Sequence, residues 1–129
     1  MPYFSNKSKA NLETCEPELQ DIFNTVIEWF DCTILEGHRG EERQNQLCDE
    51  GKSQVRYPNS KHNSTPSRAV DVIPYPIDWE DRERMTFFAG WVMAIAKMQG
   101  TALRWGGDWD KDTQVKDNSF DDLVHFELA

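Results

Sequence analysis

Ser60-Lys61-His62-Asn63-Ser64-Thr65-Pro66-Ser67-Arg68-Ala69-Val70-Asp71-Val72-Ile73 changes character at Ala69. Residues 51–68 carry Gly, Pro, Ser and Asn and little apolar content, which predicts a long loop, and long loops in compact domains are often functional. Residues 69–73 read instead as a buried strand, stopped by Pro74 and Pro76. Asp71 lies inside that strand. A carboxylate among apolar neighbours is costly unless it is paired or bound to a metal.

Upstream of the loop, residues 40–50 read as a polar helix closed by Gly51. Cys32-Thr33-Ile34-Leu35 is short and partly β-branched, and reads as a strand ended by Gly37. Earlier still, Leu19, Ile22, Phe23, Val26, Ile27 and Phe30 recur at helical spacing after Pro17, a residue suited to a first helical turn. Downstream, Asp78 is expected to cap a helix over 79–99 that ends at Gly100. A short strand over 103–105, an acidic loop over 106–121 and a last strand over 125–128 complete the chain. The order is α, β, α, long loop, β, α, β, acidic loop, β. It predicts an α+β domain spanning 1–129, with a small, mainly antiparallel sheet packed by helices. Trp29, Phe30, Phe87, Phe88 and Trp91 fall at helical spacings and are assigned to core packing. Trp105 and Trp109 flank the acidic loop, either in the core or on the wall of a cleft.

With 129 residues, 38% hydrophobic and 12% aromatic, the chain can build one core and is not of the disordered class. No apolar run approaches the roughly 20 residues that span a bilayer, so no membrane insertion is expected. The formal net charge of −9 argues against nucleic acid, whose phosphates need clustered Lys and Arg. It also argues against adsorption to anionic surfaces by charge alone. Residues 1–11 are polar and lack a signal-type apolar stretch, so synthesis in the cytoplasm is the expectation, with the chain acting as a monomer. Cys15, Cys32 and Cys48 are odd in number and widely spaced, which reads as reduced, partly buried thiols.

Three histidines are present, and two sit beside carboxylates at strand edges: His62 upstream of Asp71, and His125 in Asp121-Asp122-Leu123-Val124-His125-Phe126-Glu127. Two imidazoles and one carboxylate are a common ligand set for catalytic zinc, with a fourth position open. Bound there, zinc would activate a water and polarise a scissile carbonyl. A second carboxylate must then take the water proton and hand it to the leaving amine, and Asp122 is the candidate. Spacing alone leaves metal ligation and ordinary buried polar residues both open. Asp108, Asp110, Asp112 and Asp117 lie in the acidic loop, and the first three alternate as in a calcium loop. The central Gly and closing Glu of that motif are absent, so a Ca2+ site and a solvated charged loop both remain.

The combined pattern resembles the zinc D-alanyl-D-alanine carboxypeptidase and L-alanyl-D-glutamate endopeptidase family, which includes many phage endolysins. Its motifs are Ser-x-His, an Asp on the following strand, an acidic residue three positions before a His, and x-Glu after it. Ser60-x-His62, Asp71, Asp122-x-x-His125 and Glu127 match them in order, and Gly37-x-Arg39 is similar to the upstream Gly-x-Arg. The segments Pro66-Ser67-Arg68-Ala69-Val70-Asp71 and Trp105-Gly106-Gly107-Asp108-Trp109 further resemble the phage members. The gap from His62 to Asp71 is longer than in many relatives, and Asp122 stands where many carboxypeptidases have Glu, which leans towards the endopeptidase branch.

The resemblance implies a hedgehog/DD-peptidase-like fold, zinc held by His62, Asp71 and His125, and Asp122 as general base. It implies that Arg39 stabilises the oxyanion or binds a substrate carboxylate, against the plainer reading of a surface ion pair with Glu41 or Glu42. Ser60 would hold the His62 loop or a substrate carboxylate. Glu127 shares a strand face with His125 and would orient it, or sit in a surface ion pair. His38 has no counterpart in the family and reads as solvent-facing or packing. The implied substrate is bacterial peptidoglycan, cut at L-Ala–D-Glu, with D-Ala-D-Ala carboxypeptidase activity or an inactive wall-binding module as the rivals. A phage lysin of this kind would accumulate in the host cytoplasm and reach the wall after release across the membrane.

Overall fold

The computed structural model describes residues 2–116 and 120–129. Four strands form one sheet: β1 (Cys32–Glu36), β2 (Ala69–Pro74), β3 (Leu103–Gly106) and β4 (Asp122–Leu128), in the order β1-β2-β4-β3. All three pairings are antiparallel. Four helices accompany them: α1 (Asn6–Glu13), α2 (Pro17–Val26), α3 (Glu41–Asp49) and α4 (Arg82–Met98). The α+β reading of the sequence therefore holds.

The two-residue period of β2 and β4 divides the sheet into two faces. Val70, Val72, Phe126 and Leu128 point into the core, where they meet Leu19, Ile22, Phe23 and Val26 of α2 and Phe88, Ala89 and Val92 of α4. Asp71, His125 and Glu127 alternate with them and point to the opposite face. The register sets Asp71 directly across from His125 and Ala69 across from Glu127. Two chemically active side chains are thus adjacent because two strands pair, not because they are close in sequence.

Several elements differ from expectation. Helix α1 was not foreseen, because its residues carry no apolar stripe. It is held by polar side chains together with Leu12, which with Phe4 just ahead of the helix reaches the core. Ser5 caps it by accepting from the Ser8 N–H at 3.1 Å. The Ser8 Oγ accepts from the Ile34 N–H at 3.1 Å, and Asn11 Nδ2 donates to the Ile34 carbonyl at 2.9 Å. Helix α4 begins at Arg82 and is capped by Asp81, whose carboxylate accepts from the Arg84 N–H at 3.0 Å. Asp78 instead closes the preceding turn by accepting from the Glu80 N–H at 3.0 Å. Residues 51–68 are not all loop: a 3-10 turn forms at Lys61–Asn63.

The aromatic assignment is corrected too. Phe88 is buried and Phe30 is half-buried, but Trp29, Phe87 and Trp91 are 71%, 64% and 40% exposed. Phe87 and Trp91 lie one helical turn apart on the outer face of α4, around Phe30, while Met85, Phe88 and Val92 take the inner face. Cys15, Cys32 and Cys48 are free thiols. Burial pushes the first two up to about 11 and about 12, which leaves them protonated and inert.

Candidate active site

The site is assembled on the polar face of β2 and β4 and completed by the 3-10 turn. Ser60 builds that turn: its Oγ accepts from the His62 N–H at 3.2 Å, and the Asn63 Oδ1 accepts from the Ser60 N–H at 3.0 Å. Ser60 is thus engaged in holding the His62 loop. The turn is fastened to the chain after β1, because the Arg39 N–H donates to the His62 carbonyl at 2.7 Å.

His62 is fully buried and donates from Nδ1 to the Gly37 carbonyl at 2.7 Å. The approach needs glycine at 37: a Cβ there would collide with the Asn11 carbonyl and the Thr14 hydroxyl. With its proton on Nδ1, His62 turns the Nε2 lone pair inward. His125 is fixed the opposite way: its Nε2 donates to Glu127 Oε1 at 2.8 Å, which frees Nδ1. These two lone pairs face each other at 3.3 Å, and Asp71 Oδ1 lies 3.1 Å from one and 3.3 Å from the other.

Three acceptor atoms in a triangle with edges of 3.1–3.3 Å repel one another unless something positive lies among them. A tetrahedral ion with ligand bonds of about 2.0–2.1 Å has edges of about 3.3 Å, so the donor set fits zinc. Without a metal a proton takes that role. Burial alone would lower the His125 pKa, but its bonds to Asp71 and Glu127 raise it to about 9. Burial alone would raise the Asp71 carboxyl, yet the adjoining histidines hold it well below the usual carboxylate range.

Arg39 is only 7% exposed and does not pair with Glu41 or Glu42. Its Nη2 donates to Glu36 at 3.0 Å and to Asp71 Oδ2 at 3.2 Å, and its Nη1 donates to Gln44 at 3.0 Å. Glu36, three residues before Arg39, stands opposite Asp71 in the register, so the sheet brings Asp71, 32 residues away, to the same guanidinium. The guanidinium occupies the second oxygen of Asp71 and leaves Oδ1 for the histidines. Gln44, fully buried, was missed by the sequence reading; only its place five residues after Arg39 hinted at it.

Glu127 is buried rather than in a surface pair. Its Oε2 accepts from Arg104 Nη2 at 2.7 Å and Nε at 3.2 Å, with Lys61 Nζ at 3.2 Å. Burial would raise its pKa, but the bonds from His125 and Arg104 lower it to about 2, so it stays an acceptor at any working pH.

Asp122 lines the same cleft yet stands outside the group whose ligand atoms lie within 4.8 Å of one another. Burial, and then the charge of Asp71, push its pKa up to about 6, a value suited to a proton carrier near neutrality. Gly106 makes its position possible, since a Cβ there would overlap the Asp122 carbonyl. Trp109 forms a cleft wall, its ring 5.3 Å from that of His125, whereas Trp105 is buried in the core. His38 is exposed and bonded to the Ser64 carbonyl at 2.9 Å, away from the site. The cleft has a volume of about 890 Å³.

Asp108, Asp110 and Asp112 each bring one oxygen within 4.8 Å of the others. Asp108 and Asp110 accept the backbone N–H of Asp112, and Asp112 accepts that of Gln114, as turns in solvated loops do. Asp117 lies outside the described residues.

A family model described as phage L-alanyl-D-glutamate peptidase matches residues 1–129. The chain belongs to that family. This peptidase is also similar to a solved structure, the Serratia marcescens L-Ala D-Glu endopeptidase ChiX, at 27% identity and a TM-score of 0.77. The match covers 98% of this chain and 89% of that one. Among curated proteins nothing matches. The family assignment makes the chain an enzyme of the endopeptidase branch, in place of the carboxypeptidase and inactive-module rivals. No helix among the described residues is long and apolar enough to cross a membrane.

Proposed function

We propose that residues 1–129 act as one monomeric domain, a zinc-dependent endolysin that hydrolyses the L-Ala–D-Glu bond of the peptidoglycan stem peptide. The observation that carries this reading is the triangle of His62 Nε2, Asp71 Oδ1 and His125 Nδ1, with both histidine tautomers fixed from behind. These three residues would hold the metal, which supplies Lewis acidity to a water and to the scissile carbonyl.

The rest of the work falls to the chain itself. Asp122 takes the proton of the attacking water and returns it to the amine leaving from D-Glu. Its raised pKa and its place beside the ligands support that assignment. Arg39 fixes Asp71 and sets a permanent positive charge beside the developing oxyanion. Glu127 keeps His125 in the ligating tautomer, and Ser60 keeps His62 in reach. Calcium has no part in this reading. A protein of net charge −9 finds its polymer through the cleft, not through a basic surface or a nucleic acid. As a phage endolysin it would be made in the host cytoplasm and act on the wall after release.

Digestion of purified peptidoglycan, followed by mass spectrometry of the new termini, tests the proposal. New L-Ala carboxyl and D-Glu amino termini, lost with a chelator and restored by zinc, are expected. Release of free D-alanine alone would refute the assigned bond, and full activity in chelator would refute the metal.

A further inference from the structure

Trp79 stands apart from the other aromatic residues of the cleft. It lines the same cavity as His62 and His125, yet it is 57% exposed. Trp109, by contrast, is committed: its Nε1 donates to the Phe120 carbonyl at 2.7 Å, and Arg104 lies over its ring at 5.5 Å. No hydrogen bond or ring contact engages the Trp79 side chain among the described residues. Other aromatic rings are as exposed, Trp29 and Phe87 among them, but Trp79 lines the cleft that holds the histidines, where its free face is open to a bound ligand.

The backbone that carries the ring is pinned. Arg84 donates from Nη2 to the Tyr75 carbonyl at 2.8 Å and from Nη1 to the Pro76 carbonyl at 3.3 Å. The Asp78 carbonyl accepts from the Asp81 N–H at 3.2 Å, closing the turn around Trp79. Arg82 reaches Asp121 at 2.6 Å and ties this turn to the start of β4, next to Asp122. The backbone beneath the ring is thus fixed, and the ordering left for binding is that of the side chain alone.

We propose that Trp79 is a stacking platform for the sugar ring from which the stem peptide hangs. The inference rests on the reaction proposed above. L-Ala joins the stem peptide to the glycan through a lactyl group on the sugar, so a cut between L-Ala and D-Glu leaves the sugar ring about two residue-lengths from the reacting carbonyl. At about 3.5 Å per extended residue the ring stands roughly 7 Å from that carbonyl, a span that the cleft holding both Trp79 and the histidines can accommodate. The cavity of about 890 Å³ lies near the top of the roughly 300–1,000 Å³ range of small-ligand sites, so it has room beyond two amino-acid residues. Chemistry selects the sugar over the peptide. Stem peptides are built from alanine, glutamate and a diamino acid, none of which offers a flat apolar face. A pyranose does: its axial C–H groups meet the negative face of an indole while its hydroxyls stay in water.

The test compares two substrates of equal peptide sequence, a disaccharide-peptide from digested peptidoglycan and the same peptide without sugar. Trp79→Ala is expected to raise KM for the disaccharide-peptide about tenfold, or about 1.4 kcal/mol. KM for the sugar-free peptide, kcat on both substrates and zinc content should stay unchanged, and Trp79→Phe should recover most of the lost affinity. An equal rise in KM on both substrates would assign the ring to the peptide and overturn the proposal. So would unchanged KM on both. If the unmodified enzyme cuts neither substrate between L-Ala and D-Glu, the proposed reaction itself fails, and the platform fails with it.

Discussion

Replacing Glu127 by glutamine keeps the volume of the side chain and leaves one acceptor oxygen where there were two. Both oxygens are in use. Oε1 takes the His125 Nε2 proton at 2.8 Å, and Oε2 takes two bonds from Arg104, with Lys61 at 3.2 Å. With the metal bound His125 is neutral, and the two cations outbid it for the single amide oxygen, since charge-assisted bonds are about twice as strong as neutral ones. The amide NH2 would then face His125, donor against donor. The ring escapes by moving its proton to Nδ1, the atom that faces His62 and Asp71, and that proton competes with the metal. Loss of such a supporting partner lowers metal affinity or activity by roughly 10–100-fold, about 1.4–2.8 kcal/mol. Competition with a chelator of known zinc affinity at pH 7.5, run on both proteins, measures the difference directly. Zinc affinity of Glu127→Gln equal to that of the unmodified protein would refute the tautomer argument.

Asp122→Asn should keep zinc bound while turnover falls by roughly 10²–10⁴-fold, whereas His125→Ala should lose metal and activity together; zinc content and lytic rate measured on both variants check the contrast. The metal-free protein should lose stability as pH rises from about 6.5 through about 9. His125 there binds its proton more tightly than in the unfolded chain, so its contribution is complete below 6.5 and gone above 9. Thermal unfolding of chelator-treated protein across pH 6–10 tests this, and a midpoint flat over that window would count against it. Zinc binding at neutral pH should release a proton, visible as a buffer-dependent calorimetric enthalpy.

The carboxylate of Asp71 was legible because it interrupts an otherwise apolar strand, and the two histidines because they stand beside acids at strand edges. Their convergence came from the family resemblance and not from spacing, since it depends on a strand register that no local spacing encodes. Arg39 shows the same limit. Acids lie on both sides of it along the chain, Glu36 before and Glu41 and Glu42 after, and the sheet decides the choice by setting Glu36 opposite Asp71 and handing both to the guanidinium. Helical spacing revealed the amphipathic α2 and misled at α4, where a second aromatic row at Phe87 and Trp91 repeats with the same period on the outer face. Helix α1 carried no hydrophobic signal to read.

That polar helix has a consequence for handling the protein. β1 is a border strand, and one of its sides faces no other strand. The Ser8 hydroxyl and Asn11 amide occupy the Ile34 N–H and carbonyl, so the border offers no bare ladder to a passing extended chain. Shortening the N-terminus through residue 13 would strip that cover and leave a template for edge-to-edge pairing. A chain trimmed there also loses Phe4 and Leu12 from the core, and should be less stable and self-associate as its concentration rises.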